Sequence, residues 1–325
     1  MGNEPLIDLG ALYSSSCLGA WEHIIRTNER HHDSLEPVLH TMEDPLSSTS
    51  AEFEGRMIEG ADGWLLNVFS WTPKEQDSAN RRPVIVIPGW TSVVEGWIPL
   101  LSEWIQHRPV HYIETREKNF TKSPGGHKEK SSDYAISNHA RDMDAVVRNL
   151  NLNPSECDWF ASSLGSTCVI EGIKKGHLEV NSAFLLAPNA EFRFPWWMVI
   201  MTSMPWWFYP PMMRMIAIPY MRWKVKEPGQ KKRYTRTMKN ADMRRLKLST
   251  KANRAFSIWD GLETVTAAIA ICVAESDALH AHDDALKIAE ILPNADVIEV
   301  PSNQFAHEAE VIPIIENWIE RAIDT

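Results

Sequence analysis

From residue 84 onward, short apolar runs alternate with longer helical patterns, and this alternation restricts the chain to few architectures. The runs are VIVIP (84–88), VHYIE (110–114), CDWFAS (157–162), AFLLA (183–187), AAIAICVA (267–274) and ADVIEV (295–300). Most are near-continuous in apolar character, as strands buried on both faces are. Between them lie segments of helical period. Over 136–150, Ile136, Ala140, Met143, Val146, Val147 and Leu150 recur at near-helical spacing, and a second pattern runs over 283–292 before Pro293. Strands separated by helices predict a mostly parallel sheet with helices on both faces. Ahead of them, 52–58 and 64–72 are extended runs joined by Gly60, Ala61, Asp62 and Gly63, which predicts a hairpin.

The alternation fails once, between about 191 and 261. No charge occurs from Pro195 to Met213, a stretch long enough to raise a membrane span. Pro195, Pro205, Pro210 and Pro211 interrupt it, and each lacks a backbone donor, so an apolar cap inserted between strands is the better reading. Immediately beyond, residues 222–254 carry 13 Lys and Arg against only Glu227 and Asp242, whereas the whole chain is at −10. A run of this kind is expected to be a solvated helix face, with an anionic substrate or lipid surface as the functional alternative. The acidic remainder and the absence of a nucleic-acid motif argue against nucleic acid as partner. Tryptophan beside Lys and Arg suits peripheral contact of the cap with a membrane surface.

The first 50 residues predict a helical extension of one or two short amphipathic helices. The opening MGNEPLIDLG has no basic region and carries Glu4 and Asp8, so no export signal is read and the expected location is cytoplasmic. Cys17, Cys157, Cys168 and Cys272 have no metal or redox spacing and are expected as buried thiols.

The chemistry is expected where CDWFAS meets a helical segment. Ala161 and Gly165 flank Ser163 at two residues on each side, the small-x-Ser-x-small pattern of a nucleophile elbow. Small residues are needed there because the turn from strand to helix is sharp, and bulky side chains would clash across it. Taken alone, the pattern also describes a serine at a helix N-cap.

Over about 52–190 and 262–325 the chain resembles the α/β-hydrolase superfamily. VIVIPGWTS is similar to its strand and oxyanion loop, with Pro88 where many members carry histidine. ICVAESDALH is similar to the strand and loop bearing the catalytic acid, and VIEVPSNQFAHE to the last strand and the histidine loop, with Ala306 where glycine is usual. The resemblance implies a mostly parallel eight-stranded sheet with a helical cap inserted after strand 6. The expected domains are an extension (1–50), a core (51–190 and 262–325) and a cap (191–261). It implies Ser163 as nucleophile, His307 as general base and Asp277 as orienting acid, with Glu275 as competitor. It also implies the backbone N–H groups of Trp90 and Leu164 as oxyanion donors. Trp90, Trp196, Trp197, Trp206 and Trp207 are expected to wall the substrate pocket, or else to pack the cap on the core. The expected activity is hydrolysis of carboxylic esters with apolar acyl groups, esterase- or lipase-like, using neither metal nor organic cofactor. Acyl transfer, lactone or amide cleavage, and a non-catalytic binding scaffold are the alternatives; a small-molecule ester or lipid is the expected partner.

Overall fold

The computed structural model describes residues 42–225, 227–274 and 282–323. Most of the expected N-terminal extension, residues 1–41, therefore lies outside the described residues. The hairpin forms as expected: β1 (Ala51–Glu59) pairs antiparallel with β2 (Leu65–Pro73), from Ala51 opposite Pro73 to Glu59 opposite Leu65. Its turn needs the left-handed backbone at Asp62 (φ 57°) and Gly63 (φ 76°), which Asp and Gly tolerate best.

Every apolar run beyond it is a strand: β3 (Val84–Ile87), β4 (Val110–Ile113), β5 (Asp158–Ser162), β6 (Ser182–Leu186), β7 (Ala268–Ala274) and β8 (Ala295–Val300). The eight strands form one sheet in the order β1-β2-β4-β3-β5-β6-β7-β8, antiparallel at β1-β2 and β2-β4 and parallel elsewhere. The connecting helices are α1 (Ile98–Trp104), α2 (Ile136–Asn149) and α3 (Leu164–Lys174).

Successive strand residues pack on opposite faces. Ile85 and Ile87 of β3 join the cluster holding Val146 of α2 and Ile170 of α3, while Val84 and Val86 join the one holding Leu101 and Trp104 of α1. Two filled faces explain why β3, β5 and β6 are wholly buried. Three thiols, Cys157, Cys168 and Cys272, are buried in these layers, and burial pushes Cys272 up to about 12.

Between β6 and β7 the chain makes four helices, α4 (Trp196–Met201), α5 (Tyr209–Lys224), α6 (Pro228–Asn240) and α7 (Met243–Asn253). Helices α4, α5 and α7 share a small apolar cluster that includes Met198, Met201, Tyr209, Met213 and Leu246. Pro210 and Pro211 sit in the first turn of α5, where a missing N–H costs nothing, and Pro219 lies inside it. Among the described residues no helix is long and apolar enough to cross a membrane. After β7 come α8 (His282–Ile291), β8 and α9 (Ile312–Ile323).

Candidate active site

Strand β5 ends at Ser162 and α3 begins at Leu164, which leaves Ser163 alone to make the turn, at φ 52° and ψ −110°. An L-residue reaches positive φ only at a cost of about 1–2 kcal/mol, so the surroundings must hold it. The Ser163 N–H donates to Leu186 O at 2.8 Å, and Ser163 O accepts from the Thr167 N–H at 3.0 Å and the Thr167 hydroxyl at 3.1 Å. The small neighbours have a steric cause. A Cβ at Gly165 would lie 2.5 Å from Ile87 O and 2.9 Å from Pro88 O, and one at Gly89 would lie 3.3 Å from Ser163 Cβ. Glycine at these positions lets the β3 loop close against the serine.

Asn189, which the sequence reading missed, donates from Nδ2 to Ser163 Oγ at 3.1 Å. It is fixed in turn by Thr167, whose hydroxyl lies 2.9 Å from the Asn189 N–H. A single asparagine in the loop after β6 carries no motif, so no local signal would have found it.

His307 closes a short 3₁₀ turn (Phe305–His307) beyond β8 and is buried. Its Nδ1 lies 2.7 Å from Asn303 O. A carbonyl only accepts, so Nδ1 carries the proton and, in the neutral ring, Nε2 holds the lone pair. That is the tautomer a general base requires. The ring lies against the Trp97 indole, with centroids 4.3 Å apart and planes inclined by 27°, a partner absent from the sequence reading. An aromatic face there favours a cationic imidazolium. Asp277 and Glu275 follow β7 directly and lie outside the described residues.

Trp90 sits in the loop after β3, one residue beyond the Gly89 that packs on Ser163, and Leu164 is the first residue of α3, where helix N–H groups have no intrahelical partner. The Trp90 indole meets the inserted segment: its Nε1 donates to Ser249 Oγ on α7 at 2.9 Å, and it packs on Phe194.

Ser163 and His307 line one cavity of about 400 Å³, with apolar walls that include Trp90, Trp197, Met198 and Met213. Of the five tryptophans expected there, Trp90 and Trp197 line it. Trp196, Trp206 and Trp207 face outward instead, 75%, 47% and 75% exposed: the inner side of α4 is already filled by Met198 and Met201, and Trp206 and Trp207 lie in the turn that precedes α5. The basic run also departs from a purely solvated face. Arg245 is buried and donates to Thr121 O at 2.7 Å and Glu129 Oε1 at 2.9 Å, Arg236 donates to Glu95 O at 3.0 Å, Lys247 donates to Met204 O, and Arg233 donates to Asn303 Oδ1. These cations satisfy loop carbonyls and carboxylates, and three of them tie the inserted helices to the core. Lys224, Lys232, Arg244, Lys251 and Arg254 remain exposed. No cluster of three metal-binding side chains occurs among the described residues.

No protein-family model matches the sequence, and no curated protein matches it either. Solved structures do. The chain is similar to an esterase from Exiguobacterium antarcticum (TM-score 0.61, 16% identity, 83% of this chain and 98% of that one). It is also similar to the enol-lactonase of Burkholderia xenovorans LB400 (0.61, 14%, 81% and 96%). A third likeness is to naproxen esterase, carboxylesterase NP, of Bacillus subtilis (0.58, 16%, 83% and 91%). At such identities the likeness speaks to architecture, and with the strand order and the helices inserted after β6 it leads to one statement. The chain has the α/β-hydrolase fold.

Proposed function

We propose that the protein is a serine hydrolase of carboxylic esters. The observation that carries this reading is Ser163, held at positive φ between strand and helix and opening into the same cavity as His307. Ser163 Oγ attacks the acyl carbon while His307 Nε2 takes its proton, and the N–H groups of Trp90 and Leu164 receive the oxyanion. An oxyanion donor in such sites contributes roughly 3–4 kcal/mol. Asp277 serves as the acid that stabilises the imidazolium, with Glu275 as its competitor. Water then releases the acyl group with His307 again as base. Domain limits of 51–190 with 262–325 for the core and 191–261 for the cap belong to the same proposal. The esterases and the enol-lactonase among the similar structures support hydrolysis at an acyl carbon, and the same machinery serves lactones, amides or acyl transfer.

The cavity lies in the lower part of the range of about 300–1,000 Å³ usual for ligand pockets. With its Trp and Met walls, it suits short to medium or aryl acyl groups. The test is hydrolysis of a p-nitrophenyl ester series from acetate to palmitate by wild type and Ser163→Ala, with mass spectrometry after a fluorophosphonate probe. The expected result is an optimum below palmitate, an adduct on Ser163, and a loss of kcat of at least roughly 10³-fold in the variant. Folded wild type that neither turns over an ester nor takes the probe sinks the reading.

A second reading concerns the surface. Trp196, Ile200, Trp207, Met215 and Trp223 are exposed on the inserted segment, beside the exposed cations Arg214 and Lys224. Such a face suits an anionic membrane surface, against which the cavity would take its substrate.

A further inference from the structure

Beneath the loop after β3 lie two adjacent charged residues, Glu117 and Lys118, whose side chains are 0% and 3% exposed. Lys118 Nζ donates to Gly89 O at 2.7 Å and to Glu117 Oε1 at 2.9 Å. The same Oε1 accepts the Thr91 N–H at 3.1 Å and the Thr115 hydroxyl at 2.8 Å. Burial alone would raise the Glu117 carboxyl, but Lys118 beside it wins and holds it at about 2, so it is a carboxylate at working pH. Charges this deep are costly, and an apolar pair would fill the space as well. What the charges add is a grip on two particular peptide groups.

Those groups flank Trp90. Gly89 O accepts the Ser92 N–H at 3.0 Å, and Thr91 has φ 54°, the closure and the positive third residue of a type II turn. Positive φ is unfavourable for a β-branched residue, and relaxation to a type I turn would reverse the peptide between Trp90 and Thr91. The Glu117 carboxylate holds the Thr91 N–H and so opposes that reversal. On the other side, a trans peptide points its C=O and N–H in opposite directions. Lys118 on Gly89 O therefore aims the Trp90 N–H away from the ion pair, and polarises the same peptide so that this N–H is a stronger donor.

We propose that Glu117 and Lys118 are positioning residues for the oxyanion hole, fixing the peptides on both sides of Trp90 so that its N–H meets the substrate oxygen. This rests on Ser163 being the nucleophile. In the sequence the pair is only two charges in ETREKNF, since Gly89 and Thr91, which it holds, lie in another loop.

The test compares wild type with Glu117→Gln/Lys118→Met, which removes both charges together and leaves neither unpaired, and with Thr115→Val, which keeps both charges and the side-chain volume. Active sites are counted with the fluorophosphonate probe, and kcat, KM and the inhibition constant of a trifluoromethyl ketone, whose hemiketal oxyanion needs the same donors, are measured. In the double variant kcat is expected to fall roughly 10- to 100-fold, inhibitor affinity to fall in parallel, and KM to stay within about threefold. Thr115→Val is expected to lose about threefold in kcat, one hydrogen bond's worth. A folded double variant with kcat and inhibitor affinity within about twofold of wild type overturns the proposal. Should the double variant not fold, unchanged kcat in Thr115→Val overturns it instead. Wild type without turnover removes the nucleophile assignment, and the proposal with it.

Discussion

Ser163 occupies a conformation that glycine adopts freely, so the nucleophile role proposed for it and the stability of the turn pull apart at this residue. Ser163→Gly is expected to raise unfolding free energy by about 1 kcal/mol in urea titrations while abolishing turnover. A destabilised Ser163→Gly would mean that the turn is not strained. Asn189→Ala removes the donor to Ser163 Oγ, and kcat/KM is expected to fall about three- to tenfold with KM the smaller part, read from steady-state kinetics on the best ester. Ser163 was legible because its requirement is local: small residues two positions to either side, for which the contacts of Gly165 give the reason. Asn189 and Trp97 were not, because each meets its partner only after the sheet brings separate loops together. Trp196, Trp206 and Trp207 show the opposite failure, since composition gave an apolar segment without saying which side of each helix would face inward.

The strands were readable as elements because β3, β5 and β6 are covered on both faces and must be apolar throughout. The inserted helices were expected as a helical cap after strand 6 but not placed one by one, since prolines read as interruptions where Pro210 and Pro211 in fact occupy the first turn of α5. Two buried groups near β4 and α2 contribute opposite slopes to how stability follows pH. Burial pushes Glu114 up to about 7 from an ordinary 4.5, and it holds His139 down at about 4 from 6.5. Stability from Glu114 is full below pH 4.5 and is lost as pH rises to about 7; that from His139 is full above 6.5 and is lost as pH falls to about 4. Between 4.5 and 6.5 the two slopes oppose, each near 1.4 kcal/mol per pH unit. Glu114→Gln is therefore expected to gain stability, relative to wild type, as pH rises through this window, and His139→Leu to lose it. Urea titrations at several pH values check this, and tilts of the same sign in both variants would refute it.

At the scale of the molecule, an acidic chain carries a basic, tryptophan-bearing insert on one part of its surface. If that face meets anionic lipid, the protein should sediment with phosphatidylglycerol vesicles and not with pure phosphatidylcholine. Added salt should release it, and Trp207→Ser or Trp223→Ser should each weaken binding roughly tenfold. Vesicle binding that ignores lipid charge and both tryptophans would remove this face from consideration. Trp90 joins the insert to the chemistry. Its backbone lies beside Ser163, while its indole is fastened to Ser249 on α7. The inserted helices are thus bolted to the residue whose N–H is proposed to receive the oxyanion. On that proposal, remodelling the pocket through α7 is not an independent adjustment: a change at position 249 would show itself in slower turnover before it showed itself as a different specificity.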